Sequence, residues 1–293
     1  MKAKGKIIKA LGGFYYILSQ GEVYEARARG VFRHRKITPL VGDQVLFSQG
    51  EGEALSYVEE ILDRKNSLKR PPVANIDQVF LLVPVAEPDY NLYLVDKLIA
   101  YYEYLNIDIL LVISKKDLDP DQAQVLKETY QKAGFPVFTI STKTGQGMGE
   151  IYKQLVHKTS ALAGVSGAGK TSFLNDVLGL DLETQAVSEK SQRGRHTTRH
   201  SELMAGPDGI LIFDTPGFSS IDVEDIPSED LGHYFRDFQP YLGQCKFQDC
   251  IHKNEPGCEI RRALLDQEIE ESRYENYIRI YDDLLEKEKN TWR

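Results

Sequence analysis

Gly164-Val165-Ser166-Gly167-Ala168-Gly169-Lys170-Thr171 is the stretch that decides the reading of this chain. It fits G-x-x-x-x-G-K-[ST], a loop whose backbone N–H groups cradle phosphate oxygens. The apolar run Ser160-Ala161-Leu162-Ala163 precedes it, and Ser172 to Leu178 follows with helical character, which is the strand–loop–helix setting the motif needs. Glycines let the backbone close around phosphate. The helix N-terminus after them adds a dipole that favours negative charge. Lys170 is expected to reach the β- and γ-phosphates, Thr171 to bind Mg²⁺, and Ser172 to complete the stretch in contact with nucleotide.

Downstream, Asp214-Thr215-Pro216-Gly217 ends the apolar run Ile210 to Phe213. An Asp there can hold Mg²⁺ through water, and the Gly217 N–H can sense the γ-phosphate. Between the two motifs lies Gly194-Arg195-His196-Thr197-Thr198-Arg199, a basic stretch read as a loop. A threonine in it would complete the Mg²⁺ shell in the triphosphate state only, an order–disorder switch. Without the phosphate motif, the same stretch reads as a solvated loop.

Upstream, Ser114-Lys115-Lys116-Asp117 and Ser141-Thr142-Lys143 each follow an apolar run. Asp117 can accept from the guanine N1–H and 2-amino group, and the Lys115 stem can lie over the ring. Adenine lacks that donor pair and would leave the carboxylate unpaired. Ser141, Thr142 and Lys143 can meet the guanine O6 through backbone N–H. The usual first residue of the longer motif is Asn. Ser114 stands there instead, able to make a smaller supporting bond to the phosphate loop. In an ordinary GTPase the phosphate loop opens the domain and the base motifs follow. Here the base motifs come first, so the order predicts a circularly permuted GTPase.

Cys245, Cys250, His252 and Cys258 give C-x4-C-x-H-x5-C and include all three cysteines of the chain. Three thiolates and one imidazole suit a closed tetrahedral structural Zn²⁺ site. A catalytic zinc leaves one position open, and a redox pair would need C-x-x-C. Chance clustering of buried cysteines is the remaining alternative.

Around these motifs, residues 1–68 read as short strands with Gly-rich turns, such as Lys6 to Leu11 and Phe14 to Leu18 flanking Gly12-Gly13. That pattern fits a small barrel. Arg70-Pro71-Pro72 reads as an extended, unpaired link. Apolar strands at Gln78 to Val83, Ile107 to Ile113 and Phe135 to Ile140 alternate with helical stretches at Leu92 to Leu105 and Gln122 to Lys132. Such alternation predicts a parallel sheet covered on both faces. From about 229 the pattern turns polar, aromatic and helical, ending in an amphipathic helix over 267–289.

The expected fold class is therefore α/β. A circularly permuted P-loop GTPase domain over 71–228 carries an N-terminal OB-fold β-barrel over 1–70 and a C-terminal helical zinc-binding module over 229–293. The 293 residues carry a net charge of −8, unevenly spread, with 13 Lys+Arg against 8 Asp+Glu in residues 1–72. A basic module on an acidic body points to an anionic partner for that module. Arg27, Arg29, Arg33, Arg35 and Lys36 are its candidate phosphate contacts, against the alternative of a solvated face. No signal peptide and no apolar run of about 18–20 residues is found, which predicts a soluble, cytoplasmic protein with no membrane association.

With base motifs, phosphate loop and switch motifs in this order, the chain resembles the RsgA (YjeQ/YloQ) family of circularly permuted GTPases. The resemblance rests also on Asn75-Ile76-Asp77, Gly194 to Thr198, Asp214 to Phe218 and the spacing of the cysteines. It implies a GTP-hydrolysing assembly factor that binds the small (30S) ribosomal subunit late in maturation. Such a factor contacts 16S rRNA through the barrel and zinc module, acts as a monomer and leaves on hydrolysis to GDP. It implies that Thr198, rather than Thr197, is the Mg²⁺ ligand beside Thr171 and Asp214. Phe218 and Ser219 stand where Ras-like enzymes place the water-orienting Gln. Slow intrinsic hydrolysis, stimulated by the subunit, is expected. His196 is a candidate to position the attacking water, with rRNA contact or loop shaping as its alternatives. An ATPase or nucleotide kinase, or an RNA-binding module whose nucleotide fold is only structural, are the competing readings.

Overall fold

The computed structural model describes residues 2–34, 36–50, 55–180, 201–214 and 225–291, with backbone only at 33, 34, 214 and 291. The chain opens with β1 (Lys2–Leu11), β2 (Phe14–Ser19), β3 (Glu22–Ala28), a short helix α1 (Gly30–His34), β4 (Gln44–Ser48) and β5 (Ser56–Ile61). It continues through β6 (Ser67–Lys69), β7 (Pro72–Ala74), β8 (Gln78–Pro84), α2 (Leu92–Tyr104), β9 (Asp108–Ser114), α3 (Pro120–Lys132), β10 (Val137–Thr139) and α4 (Met148–Leu155). The remaining elements are β11 (Thr159–Gly164), α5 (Lys170–Leu178), β12 (Glu202–Ala205), β13 (Leu211–Asp214), α6 (Glu259–Leu265) and α7 (Glu271–Thr291). Two compact units result, each drawn from separate stretches of sequence. The first takes Met1–Gln78, Tyr152–Leu162 and Leu174–Phe218, and the second takes Val79–Ile151, Ala163–Phe173 and Ser219–Arg293.

In the first unit, five strands hydrogen-bond in the order β1-β2-β3-β5-β4, and β4 returns to β1 to close a barrel. Only β3 and β5 run parallel; the other pairs are antiparallel. This is the five-stranded closure of an OB-fold. Alternate side chains point inward, as a pleated strand requires. Ile7, Ile17, Ala26, Val45, Phe47 and Val58 fill the interior and are fully buried.

Two features of this unit depart from the sequence pattern. The prolines at 71–72 do not form an unpaired link. β6 and β7 make an antiparallel hairpin around them, with Lys69 opposite Pro72. Pro72 opens its strand, a position where a missing N–H is tolerated. β12 is a strand with no counterpart in the sequence reading. It pairs antiparallel with β13 and meets β1 at Lys9↔Glu202, where the Lys9 Nζ sits 3.0 Å from the Glu202 carboxylate. Four residues are too few to show a period of two. β13 in turn runs parallel to β11, in register from Thr159↔Leu211 to Ala161↔Phe213.

The second unit holds the strand order β10-β9-β8. Every residue of β8 is buried, which accounts for its unbroken apolar run. Asn91 caps α2 by accepting from the Leu94 N–H, and Asp119 caps α3 from the Gln122 N–H with Pro120 in the first turn. Each cap satisfies an orphan N–H of the helix start. The expected helical region after 229 begins instead as two 3₁₀ segments, Ser228–Tyr234 and Arg236–Tyr241. Pro240 lies inside the second, and buried Phe235 and Phe238 anchor both. The final helix starts at Glu271, four residues later than its apolar spacing predicts, because Gln267 takes a left-handed φ of 57°.

A buried ionic cluster ties α7 to α2 within this unit. The Arg273 guanidinium donates to Asp96 at 2.6 Å and to both carboxylate oxygens of Asp237 at 2.6 and 2.8 Å. Tyr130 and Asn276 also donate to Asp96. Burial pushes the Asp96 carboxyl above the usual carboxylate range, although Arg273 opposes the shift. No helix among the described residues is long and apolar enough to cross a membrane.

Candidate nucleotide and metal sites

The phosphate-loop candidates lie between β11 and α5, in a conformation that needs their glycines. Gly164 has φ 134°, and a Cβ there would sit 2.4 Å from the Leu82 carbonyl oxygen. Gly167 has φ 81°, with Pro88 Cδ 2.9 Å from where its Cβ would be. Only glycine meets both the positive φ and the close approach. Lys170 opens α5 and folds back over the loop, donating to the carbonyls of Gly164 and Val165 at 2.7 and 2.8 Å. Burial lowers its ammonium pKa from the ordinary lysine value. A partly buried cation held by carbonyls is a ready partner for a phosphate oxygen. Behind the loop, Phe173 packs fully buried against Phe80, with ring centroids 5.9 Å apart.

The base-motif residues converge on this loop. Ser114, at the end of β9, donates its hydroxyl to the Ala168 carbonyl at 2.8 Å. The two motifs, more than fifty residues apart in sequence (|i−j| = 54), are thus one hydrogen bond apart. A hydrogen bond with Ser141 is the first force holding the Asp117 carboxyl below its ordinary value, with Lys143 and Lys115 adding attraction. Asp117 is therefore an anion at neutral pH, an acceptor facing solvent. Ser141 is buried and also accepts the Thr144 N–H at 3.2 Å.

One neighbour of this cluster escapes the sequence reading. The Lys115 ammonium donates to the Glu87 carbonyl, and Pro88 rests on Gly167. The segment after β8 therefore walls the loop. A contact made through a backbone carbonyl leaves no residue-type signal. The punctuation Glu87-Pro88-Asp89 after an apolar run is the only mark of it in the sequence.

Of the switch candidates, Asp214 ends β13, one residue past the Phe213 that pairs with Ala161, and only its backbone is described. His196, Thr197, Thr198, Thr215, Pro216, Gly217, Phe218 and Ser219 lie outside the described residues. So does Arg35, and the Arg33 side chain with it. The other barrel cations differ among themselves. Arg27 stacks 4.4 Å above the Phe14 ring, Arg29 pairs with Glu59 at 2.7 Å, and Lys36 is exposed.

The four metal candidates form a single cluster. Donor atoms of Cys245, Cys250, His252 and Cys258 all lie within 4.8 Å of one another. The His252 Nδ1 faces the thiols of Cys245 and Cys258, each at 3.5 Å. Burial lowers the His252 pKa, which favours the neutral imidazole that ligates metals. Burial also pushes the Cys250 thiol up to about 12, so its thiolate needs a compensating cation. The Glu259 N–H donates to the Cys245 sulfur at 3.4 Å. Four convergent donors, three of them sulfur, fit a tetrahedral metal ion. Three side chains shape the loop that carries them. Glu255 accepts the N–H groups of Ile251, Lys253 and Asn254, while Tyr274 and Tyr277 donate to the carbonyls of His252 and Ile251. Sequence spacing finds the four candidates but not these supports.

A family model described as RsgA GTPase matches residues 61–224, and one described as RsgA N-terminal domain matches 4–57. A protein of Halalkalibacterium halodurans named small ribosomal subunit biogenesis GTPase RsgA is 42% identical, with 98% of each chain covered. One of the same name from a Geobacillus species is 43% identical over 97% of this chain and 98% of its own. Among solved structures, YjeQ from Thermotoga maritima aligns with a TM-score of 0.85 at 36% identity, over 97% of this chain and 99% of that one. YloQ, described as a circularly permuted GTPase, aligns at 0.81 and 37% identity, over 98% and 96%.

Proposed function

The chain belongs to the RsgA family of GTPases, and from that premise we propose that it binds the small (30S) ribosomal subunit late in maturation and leaves on GTP hydrolysis, which the subunit stimulates. Family membership makes it a GTP-hydrolysing enzyme of small-subunit biogenesis. The observation that carries the nucleotide reading is the Ser114–Ala168 hydrogen bond, which joins base motif to phosphate loop.

In this reading Asp117 recognises the guanine edge, the Lys115 stem covers the ring, and Ser141, Thr142 and Lys143 close over O6. Residues 164–172 wrap the phosphates. Lys170 leaves the Gly164 and Val165 carbonyls for the β- and γ-phosphates. Mg²⁺, which neutralises charge developing on the phosphates, is held by Thr171, Thr198 and Asp214. Gly217 senses the γ-phosphate, and His196 positions water. Cys245, Cys250, His252 and Cys258 hold one structural Zn²⁺. Three functional segments follow, with 1–70 as the OB-fold that contacts 16S rRNA, 71–228 as the GTPase and 229–293 as the zinc module. The protein acts as a cytoplasmic monomer that cycles between GTP and GDP.

Turnover of GTP and ATP, measured with and without purified small subunits, tests the proposal. GTP-selective turnover that rises on adding subunits is expected. Selective turnover indifferent to subunits would overturn the ribosome-coupled part and leave the guanine site standing.

A further inference from the structure

The metal-ligand loop is held in shape by a side chain that is not itself one of the four candidate ligands. The Glu255 Oε1 accepts from the Ile251 N–H at 2.9 Å, and its Oε2 accepts from Lys253 at 2.8 Å and Asn254 at 2.9 Å. Those donors bracket His252 on both sides. His252 has φ 64°, a left-handed backbone uncommon for a residue with a Cβ. Its own carbonyl is taken by the Tyr274 hydroxyl at 2.8 Å, and the Ile251 carbonyl by the Tyr277 hydroxyl at 2.8 Å. Tyr274 also reaches the Lys253 carbonyl at 3.4 Å, so six backbone groups around one ligand are bonded by three side chains, and Glu255 supplies three of the six bonds. The carboxylate acts as an anionic clamp, and charge-assisted bonds to N–H groups are the stronger kind.

We infer that Glu255 is the positioning residue of the metal site, locking the left-handed turn that aims the His252 Nδ1 at the thiolates of Cys245 and Cys258. The inference rests on the zinc reading above, since the aim of Nδ1 matters only if the four donors share an ion. The competing role is a loop staple that stabilises the fold without affecting metal affinity. Outer partners that orient ligands change metal affinity by about 10–100-fold when lost. A staple alone would shift melting and leave affinity intact.

The test is competition of the full chain with a chromogenic chelator for Zn²⁺, read alongside thermal melting. Glu255→Ala is expected to weaken zinc affinity by roughly 10–100-fold. Glu255→Gln keeps one acceptor oxygen and is expected to fall between it and the wild type. Tyr274→Phe, which removes the bonds to the His252 and Lys253 carbonyls and leaves Glu255 in place, should weaken affinity by a smaller factor and serves if the alanine variant does not fold. Wild-type affinity in both Glu255→Gln and Tyr274→Phe would overturn the inference while sparing the metal site. A wild-type chain that takes up no zinc would overturn both.

Discussion

Ser114 shows how one side-chain exchange can be absorbed. Its hydroxyl is shorter than the usual Asn amide, yet it reaches the Ala168 carbonyl because the end of β9 lies close to the phosphate loop. Ser114→Ala should leave that buried carbonyl without its donor, costing about 1–3 kcal/mol. The measurement is GDP affinity by fluorescence titration, with a drop of roughly tenfold expected. Lys170→Ala should abolish GTP turnover while the melting temperature holds, since its bonds among the described residues go to its own loop. Asp117→Asn should cut the GTP-over-ATP preference by about 10²-fold or more, and an unchanged ratio in competition binding would sink the base-site assignment. These candidates could be picked from the sequence because each motif is local and each residue type has a chemical reason to stand where it does. Glu87 and Glu255 were not. One contributes a carbonyl that any residue could offer, and the other contributes bonds to N–H groups whose directions exist only once the loop is folded.

Among elements, the long ones were readable and the short ones were not. β8, β9, α2 and α3 carry enough residues to show their burial pattern, and α2 and α3 announce their starts with Asn91 and with Asp119-Pro120. The strands of the β6–β7 hairpin are three residues each and β12 is four, too short to show a pattern, and β12 also meets β1, far off in sequence. The first turns of α7 are likewise tied down by tertiary contact, through Arg273. Arg273 is 1% exposed and serves two carboxylates on other elements. Arg273→Met would leave Asp96 and Asp237 buried without their cation, a loss of about 3–5 kcal/mol. Urea unfolding of the variant should show that loss. If stability is unchanged, the cluster does not hold α7 against α2.

At the scale of the molecule, the motif order was the most informative thing in the sequence, and it pointed to a permuted GTPase before any element was placed. What it left unread is how far the barrel is sewn into its surroundings. The Lys6 ammonium reaches the Thr159 hydroxyl at 2.6 Å, and β1 meets β12 at Lys9↔Glu202. The consequence is one for protein engineering. A truncated chain lacking the barrel would strip β12 of its outer neighbour and leave a bare strand edge, a template for intermolecular pairing. Such a fragment should elute from a sizing column as aggregate instead of a free catalytic half, and surgery on this protein is better done by point substitution than by excision.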